Sequence, residues 1–200
     1  MPIPEPVAFT IFNIDIMWYA VLITTGMVLA VLISCKRAPR HDLDSDQVLN
    51  FVIICIPAAI IGARLYYVVF NWSWYAGDFM KIINIREGGL AIHGGLLFGF
   101  GAAVILCYLW KVRPLNALDL VAPAVALAQS IGRWGNFFNS EAHGIATSLE
   151  HLKNLHIPQF IIDGMKINGV YYTPTFFYES VCCILGFIII YLIYLLFYIF

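Results

Sequence analysis

The residues Gly132–Gly144 (GRWGNFFNSEAHG) concentrate the chemistry of this chain. They follow an apolar run, Leu118–Ile131, interrupted only by Asp119, Gln129 and Ser130, and they carry Arg133, Asn136, Asn139 and Glu141. A guanidinium at such a position sits in or beside a bilayer, where insertion costs roughly 2.5–3.5 kcal/mol. Gln129, Arg133, Asn136 and Asn139 fall at i, i+4, i+7 and i+10, which is one stripe of a helix. A stripe this polar is too costly to face lipid and must face a protein interior or a wet cavity. Gly132 and Gly135 remove bulk around Arg133, so that a ligand or a backbone can come close.

An arginine fork binds phosphate oxygens in pairs, and a low dielectric strengthens the contact. In a membrane the nearest phosphate is a lipid headgroup. Arg64 offers a second guanidinium, and Gly94 and Gly95 expose backbone N–H groups at a helix start, which suits an anion. His93 or Tyr19 is the general-base candidate beside them. Simpler roles stay open. Arg64 or Arg133 could pair with Glu179 or Glu141 to hold helices together, Asn136 and Asn139 could be interhelical glue, and Tyr19, beside Trp18, could be an interfacial aromatic. His93 could be a packing residue. His41, His143, His151 and His156 read as loop residues. The absence of GxSxG, HExxH and P-loop patterns argues against a serine esterase, a zinc protease and an ATPase.

These residues need elements to hold them. The chain is 62% hydrophobic and 12% charged, with mean hydropathy +0.85 and net charge −1. Soluble domains are nearer half apolar and a quarter charged; this is an integral membrane protein, and nothing points to nucleic acid. The cysteines (Cys35, Cys55, Cys107, Cys182, Cys183) lie in or at the ends of apolar runs without CxxC or zinc spacing, so they read as packing residues, with no metal or cofactor expected. A spanning helix needs about 20 apolar residues. Five runs qualify: 17–35, 49–70, 90–110, 118–139 and 174–200. The expected fold is all-α and polytopic, one membrane-embedded domain over 1–200, with 140–173 a long, polar, glycine-punctuated extracytoplasmic loop. The first run is a retained span rather than a signal peptide, because Glu5 and Asp15 precede it and Lys36 and Arg37 follow it.

Lys36, Arg37 and Arg40 in one short link, and Lys111 and Arg113 in another, mark one side as cytoplasmic and place the N-terminus outside. Lys81, Arg86, Lys153 and Lys166 are spread over longer loops on the opposite side. Trp72, Trp74 and Tyr75 fit an outer interfacial belt. Tyr19, Arg64, His93, Arg133, Tyr178 and Glu179 then all fall in the outer half of the bilayer. Phe200 ends an apolar run without a polar anchor, which suggests a fragment of a longer chain.

With these residues in place, the chain resembles the bacterial prolipoprotein diacylglyceryl transferases. Gly132–Gly144 matches every fixed position of their signature GRxGNFxNxExxG. Trp18-Tyr19, Gly62-Ala63-Arg64, the run from Gly88-Gly89 to His93-Gly94-Gly95, and Pro174 with Tyr178-Glu179 follow in the family's order. The resemblance implies transfer of the diacylglyceryl group of phosphatidylglycerol to the lipobox cysteine of a prolipoprotein signal peptide. The products are a thioether and glycerol phosphate, and no metal or cofactor takes part. It implies essential roles for Tyr19, His93, Arg133, Asn136, Glu141 and Gly144. In the expected mechanism Arg133 holds the lipid phosphate, His93 takes the thiol proton, and Tyr19 orients the headgroup or replaces the base. Asn136 and Glu141 fix Arg133 or the glycerol hydroxyls, with Arg64, Gly94, Gly95, Asn139 and Gly144 on the substrate. Family members have seven spans and a further site arginine beyond the fifth, so a five-span chain is expected to hold an incomplete site and to be inactive as it stands. Two other readings carry weight: a small channel or transporter, which would need polar groups through to the inner side, and another phospholipid-headgroup transferase on the same scaffold.

Overall fold

The computed structural model describes residues 5–85 and 88–199. Arg86 and Phe200, both used above, lie outside the described residues. The architecture is mostly helical. Among the described residues, five helices are long and apolar enough to cross a membrane, over Trp18–His41, Ser45–Phe70, Ile92–Leu109, Pro114–Phe138 and Thr175–Leu196. The domain expected over 1–200 resolves into two compact units, Met1–Ile33 with Val121–Phe200, and Ser34–Leu120.

The first unit opens with a hairpin of β1 (Val7–Ile11) and β2 (Ile14–Met17), which leads directly into α1 (Trp18–Arg37). The Trp18 N–H donates to the Pro6 carbonyl at 2.8 Å and closes the hairpin onto the helix start. This unit also holds most of α6, whose full range is Pro114–Phe138. Tyr19 packs on Gly135, where an added Cβ would stand 2.7 Å from the ring. Gly26 meets Ala128, where a Cβ would stand 3.0 Å from the carbonyl oxygen. The two contacts are seven residues apart on both helices and run in opposite order, so α1 and α6 are antiparallel neighbours for about 10 Å.

Residues 140–173, which connect α6 to the last spanning helix, carry short elements of their own. They form a small folded cap. β3 (Ala146–Thr147), β5 (Val170–Tyr172) and β4 (Lys166–Ile167) make an antiparallel sheet in the order β3-β5-β4. Two short helices, α7 (Leu149–Asn154) and α8 (Gln159–Gly164), lie between β3 and β4 in the chain, and Ser148 caps α7 by accepting from the His151 N–H. Leu152, Ile157, Ile161, Ile162 and Met165 are buried against Phe137 of α6 and Phe176 of α9 (Thr175–Ile199). The strands gave no signal in the sequence, because two-residue strands exist only through their non-local partners.

In the second unit, α2 (Ser45–Phe70) starts at a capping box in which Asp44 and Gln47 bond reciprocally. It packs on α5 (Ile92–Leu109) through small residues. A Cβ on Gly62 would collide with Phe98, one on Gly94 with the Gly62 carbonyl, and one on Gly99 would meet the Ala59 Cβ at 3.1 Å. Close approach of small residues is how helices associate without a hydrophobic driving force in lipid. Ala38, Leu43, Val48 and Leu120 form a second buried cluster, and the Arg37 Nη1 donates to the Leu120 carbonyl at 3.1 Å. Two short helices, α3 (Trp72–Tyr75) and α4 (Phe79–Ile83), follow α2.

Candidate active site

The end of α6 explains the spacing of the polar motif. Phe138 is its last helical residue, and Asn139 caps the helix, its N–H still donating to the Gly135 carbonyl at 3.0 Å. Ser140 then takes a left-handed conformation (φ 53°). The Ser140 N–H donates to Phe137 and the Glu141 N–H to Asn136, at 3.1 and 3.0 Å. Paired 5→2 and 6→1 bonds of this kind are a Schellman turn. The turn reverses the chain and sets the Glu141 carboxylate over the end of α6. There Oε1 accepts from Asn136 Nδ2 at 3.3 Å and from Asn139 Nδ2 at 3.2 Å. Ala142 is also left-handed (φ 52°), so non-glycine residues in a disfavoured conformation stand on both sides of Glu141.

Gly144 is placed by the cap. Its N–H donates to the Thr173 carbonyl at 2.9 Å, and a Cβ would stand 2.9 Å from Thr175 Cγ2 and 3.0 Å from Thr173 Cβ. Two threonines leave no room for a side chain at this position.

Arg133 points from α6 toward α9, where its Nη2 lies 2.5 Å from Glu179 Oε2. The register of the two helices is set next to this pair. Ser130 Oγ donates to the Ser180 carbonyl, Ser180 Oγ donates to the Ser130 carbonyl, and Trp134 Nε1 donates to Ser180 Oγ. Both serines are buried and all three donors are satisfied, so the helices cannot slide without leaving orphan groups. The Arg133 and Glu179 side chains keep 32% and 45% exposure, so the pair is reachable. Of the two pairings left open for Arg133, Glu179 is the partner.

Arg133 and Asn136 form the polar end of a groove between α1 and α6. The groove holds about 280 Å³ and is otherwise lined by Tyr19, Ile23, Met27, Ala128, Gln129 and Gly132. Tyr19, Ile23 and Met27 recur every four residues on one face of α1 and grade from a phenol to two apolar chains. The groove can take an amphipathic molecule with an anionic head at Arg133 and a hydrocarbon part along Ile23 and Met27. Sequence reasoning missed Ile23 and Met27, because apolar residues in an apolar helix carry no signal. It quoted Glu179 and Gln129 without giving them a site role.

In the second unit Arg64 is buried and committed to backbone. Nε donates to Ile82 at 2.9 Å, Nη1 to Gly88 and Gly89 at 2.8 and 2.9 Å, and Nη2 to Lys81 at 2.6 Å. Its guanidinium also lies over the Tyr75 ring at 5.0 Å. Gly88 and Gly89, at φ 86° and 79°, turn their carbonyls toward it in a conformation glycine adopts freely. In this arrangement Arg64 holds the loop by its carbonyls, and neither Glu141 nor Glu179 is its partner. Gly94 and Gly95 lie in the α2–α5 contact: Gly94 is buried on Gly62, and a Cβ on Gly95 would stand 3.5 Å from the Ala59 carbonyl. His93 lies in the first turn of α5, exposed, with its ring stacked on Tyr66 at 6.2 Å between centroids. The structure thus joins Tyr19, Arg133, Asn136, Asn139 and Glu141 in one unit, and Arg64 and His93 belong to the other. Among the described residues no group of three or more His, Cys, Asp or Glu could hold a metal ion.

Residues 6–197 match the family described as prolipoprotein diacylglyceryl transferase. Similar curated proteins bear the name phosphatidylglycerol–prolipoprotein diacylglyceryl transferase. One from Enterococcus faecalis is 49% identical over 190 residues, covering 94% of this chain and 67% of that protein. One from Clostridium novyi is 51% identical over 193 residues, covering 94% and 73%. One from Streptococcus uberis is 50% identical over 187 residues, covering 93% and 70%.

Proposed function

The chain belongs to the prolipoprotein diacylglyceryl transferase family, and from that premise we propose that it moves the diacylglyceryl group of phosphatidylglycerol onto a prolipoprotein cysteine. The thiol belongs to the lipobox of a signal peptide. The protein sits in the bacterial cell membrane with its N-terminus and the Arg133 groove at the outer leaflet. The cysteine sulfur attacks the glycerol carbon that bears the phosphate ester. A C–S bond forms, the C–O bond breaks, the electron pair leaves with glycerol phosphate, and the thiol proton passes to a base.

The observation that carries this reading is the groove, with the Arg133 guanidinium, the Asn136 amide and Tyr19 at one end and Ile23, Met27 and Ala128, with Gln129, lining the rest. Arg133 is anchored to Glu179 through one Nη2 donor, and no other hydrogen-bond partner of its guanidinium is found among the described residues. The other donors can take the phosphate oxygens and stabilise charge as the ester breaks. Tyr19, held on Gly135, flanks the headgroup. Glu141 keeps Asn136 in place through the Schellman turn. His93 is the candidate base on the strength of the family resemblance, since a thiolate is the better nucleophile.

The test is incubation of a full-length version of the protein, reconstituted in membranes, with phosphatidylglycerol and a lipobox peptide. The expected result is a peptide mass gain of one diacylglyceryl group, lost in Arg133→Ala. Transfer at full rate by Arg133→Ala would remove the phosphate role, and no mass gain with the unaltered protein would remove the reading.

A further inference from the structure

The hairpin that precedes α1 has two unlike faces. Its register pairs Phe9 with Ile16 and Ile11 with Ile14, while Thr10 pairs with Asp15. Residues directly opposite in an antiparallel pair share a face, and the faces alternate along each strand. Phe9, Ile11, Ile14 and Ile16 therefore form one apolar face. Thr10 and Asp15 form the other, joined by a hydrogen bond of 2.7 Å from the hydroxyl to the carboxylate. Most of the apolar face is uncovered: Phe9 and Ile11 are each 49% exposed and Ile14 64%, while Ile16 is half-buried. At the tip, Phe12 and Asn13 make a two-residue turn with φ 47° and 62°. Both central residues of such a turn require positive φ, which favours asparagine and glycine. Phenylalanine is a poor choice there, and Phe12 is 96% exposed.

Two features unfavourable in water thus coincide on one hairpin, and an isolated two-stranded hairpin is marginal in water to begin with. Both are resolved if the apolar face and the Phe12 ring lie in hydrocarbon while Thr10 and Asp15 meet the headgroups. The hairpin adjoins a helix long and apolar enough to cross a membrane. It runs into α1 with no intervening residue, is tied to the Trp18 N–H, and α1 exposes Val28 and Leu32 along its length. Trp18 itself stacks on Phe138 at 5.3 Å, an aromatic pair of the sort found at membrane interfaces.

We infer that the β1–β2 hairpin is a membrane-seated arm whose Phe9, Ile11, Phe12 and Ile14 side chains insert into the lipid leaflet beside the mouth of the Tyr19–Arg133 groove. The occupant of the apolar face is phospholipid. The inference requires that the chain spans a membrane, and it does not depend on the transfer reaction.

The experiment places a nitroxide on Phe12→Cys, Ile14→Cys or Thr10→Cys in a background with the five native cysteines replaced. The full chain is reconstituted in vesicles of phosphatidylglycerol and phosphatidylcholine. Collision rates are measured with oxygen, which partitions into lipid, and with a water-soluble nickel chelate. The expected result is oxygen collision exceeding chelate collision at positions 12 and 14, with the reverse at position 10. Chelate collision dominating at 12 and 14 would overturn the inference by showing an aqueous arm. Low collision with both reagents at 12 and 14 would also overturn it, by showing a protein partner over the face. Because the readout is accessibility, an inactive but folded chain still gives an answer, and failure here leaves the transfer reading to its own assay.

Discussion

Arg133 Nη2 stands 2.5 Å from Glu179 Oε2, and the neighbouring residues Ser130 and Ser180 exchange hydrogen bonds between the same two helices. One helix contact therefore supplies both the register and the counter-ion of the groove's guanidinium. Glu179→Gln leaves the serine bonds intact and removes the charge that orients Arg133. Transfer falls about tenfold, equivalent to roughly 1.4 kcal/mol of barrier, while the melting temperature in detergent stays near that of the unaltered protein. Arg133→Lys does not restore activity in either background, because an ammonium lacks the planar fork.

Gly135 and Gly132 sit one turn apart on α6 with unlike surroundings. A Cβ at Gly135 would press on Tyr19 at 2.7 Å, whereas at Gly132 the nearest atom is Ile23 Cγ1 at 3.9 Å. Gly135→Ala overpacks the α1–α6 contact, at a cost of about 1–3 kcal/mol, and displaces Tyr19. Gly132→Ala fits and gains helix propensity of up to about 1 kcal/mol. Thermal melts of the two variants move in opposite directions.

Ser140 combines a left-handed backbone with a buried Oγ that has no hydrogen-bond partner among the described residues. Ser140→Gly relieves both, less the added freedom of glycine in the unfolded chain, for a net gain of about 1 kcal/mol. The Glu141 contact to Asn136 survives, so transfer activity is retained while the melt rises. A drop in stability would show that the turn is not held as described.

Arg64→Lys replaces four directed donations with a single mobile ammonium. The segment around Ile82, Gly88 and Gly89 loses its anchor, at about 2–4 kcal/mol for that loop. Hydrogen exchange followed by mass spectrometry shows faster uptake in 78–89, with α6 peptides unchanged. Uniform acceleration across the chain would instead mark Arg64 as a global stability residue.

Much of this protein is readable from its residues alone. Five apolar runs and a costly Arg133 specify a spanning bundle with a polar site, because insertion energies act on residue type whatever the fold. The signature around Arg133 named the family, and the i, i+4, i+7 spacing placed Gln129, Arg133 and Asn136 on one helix face. Other assignments waited for three-dimensional contacts. Arg64 and Arg133 look equivalent in sequence, each a guanidinium near the end of an apolar run, yet one is enclosed by four carbonyls and the other faces a carboxylate and a groove. That Gly94 and Gly95 lie in the contact of two helices shows only in three dimensions. The left-handed Ser140 that turns the chain after Asn139, and so brings Glu141 onto the amides of Asn136 and Asn139, had no signal in the sequence. The 140–173 cap was hidden because its strands are defined by partners up to 26 residues away, Ala146 with Tyr172 among them. Residue type sets the cost of burying a group, and only its neighbours in space decide how that cost is met.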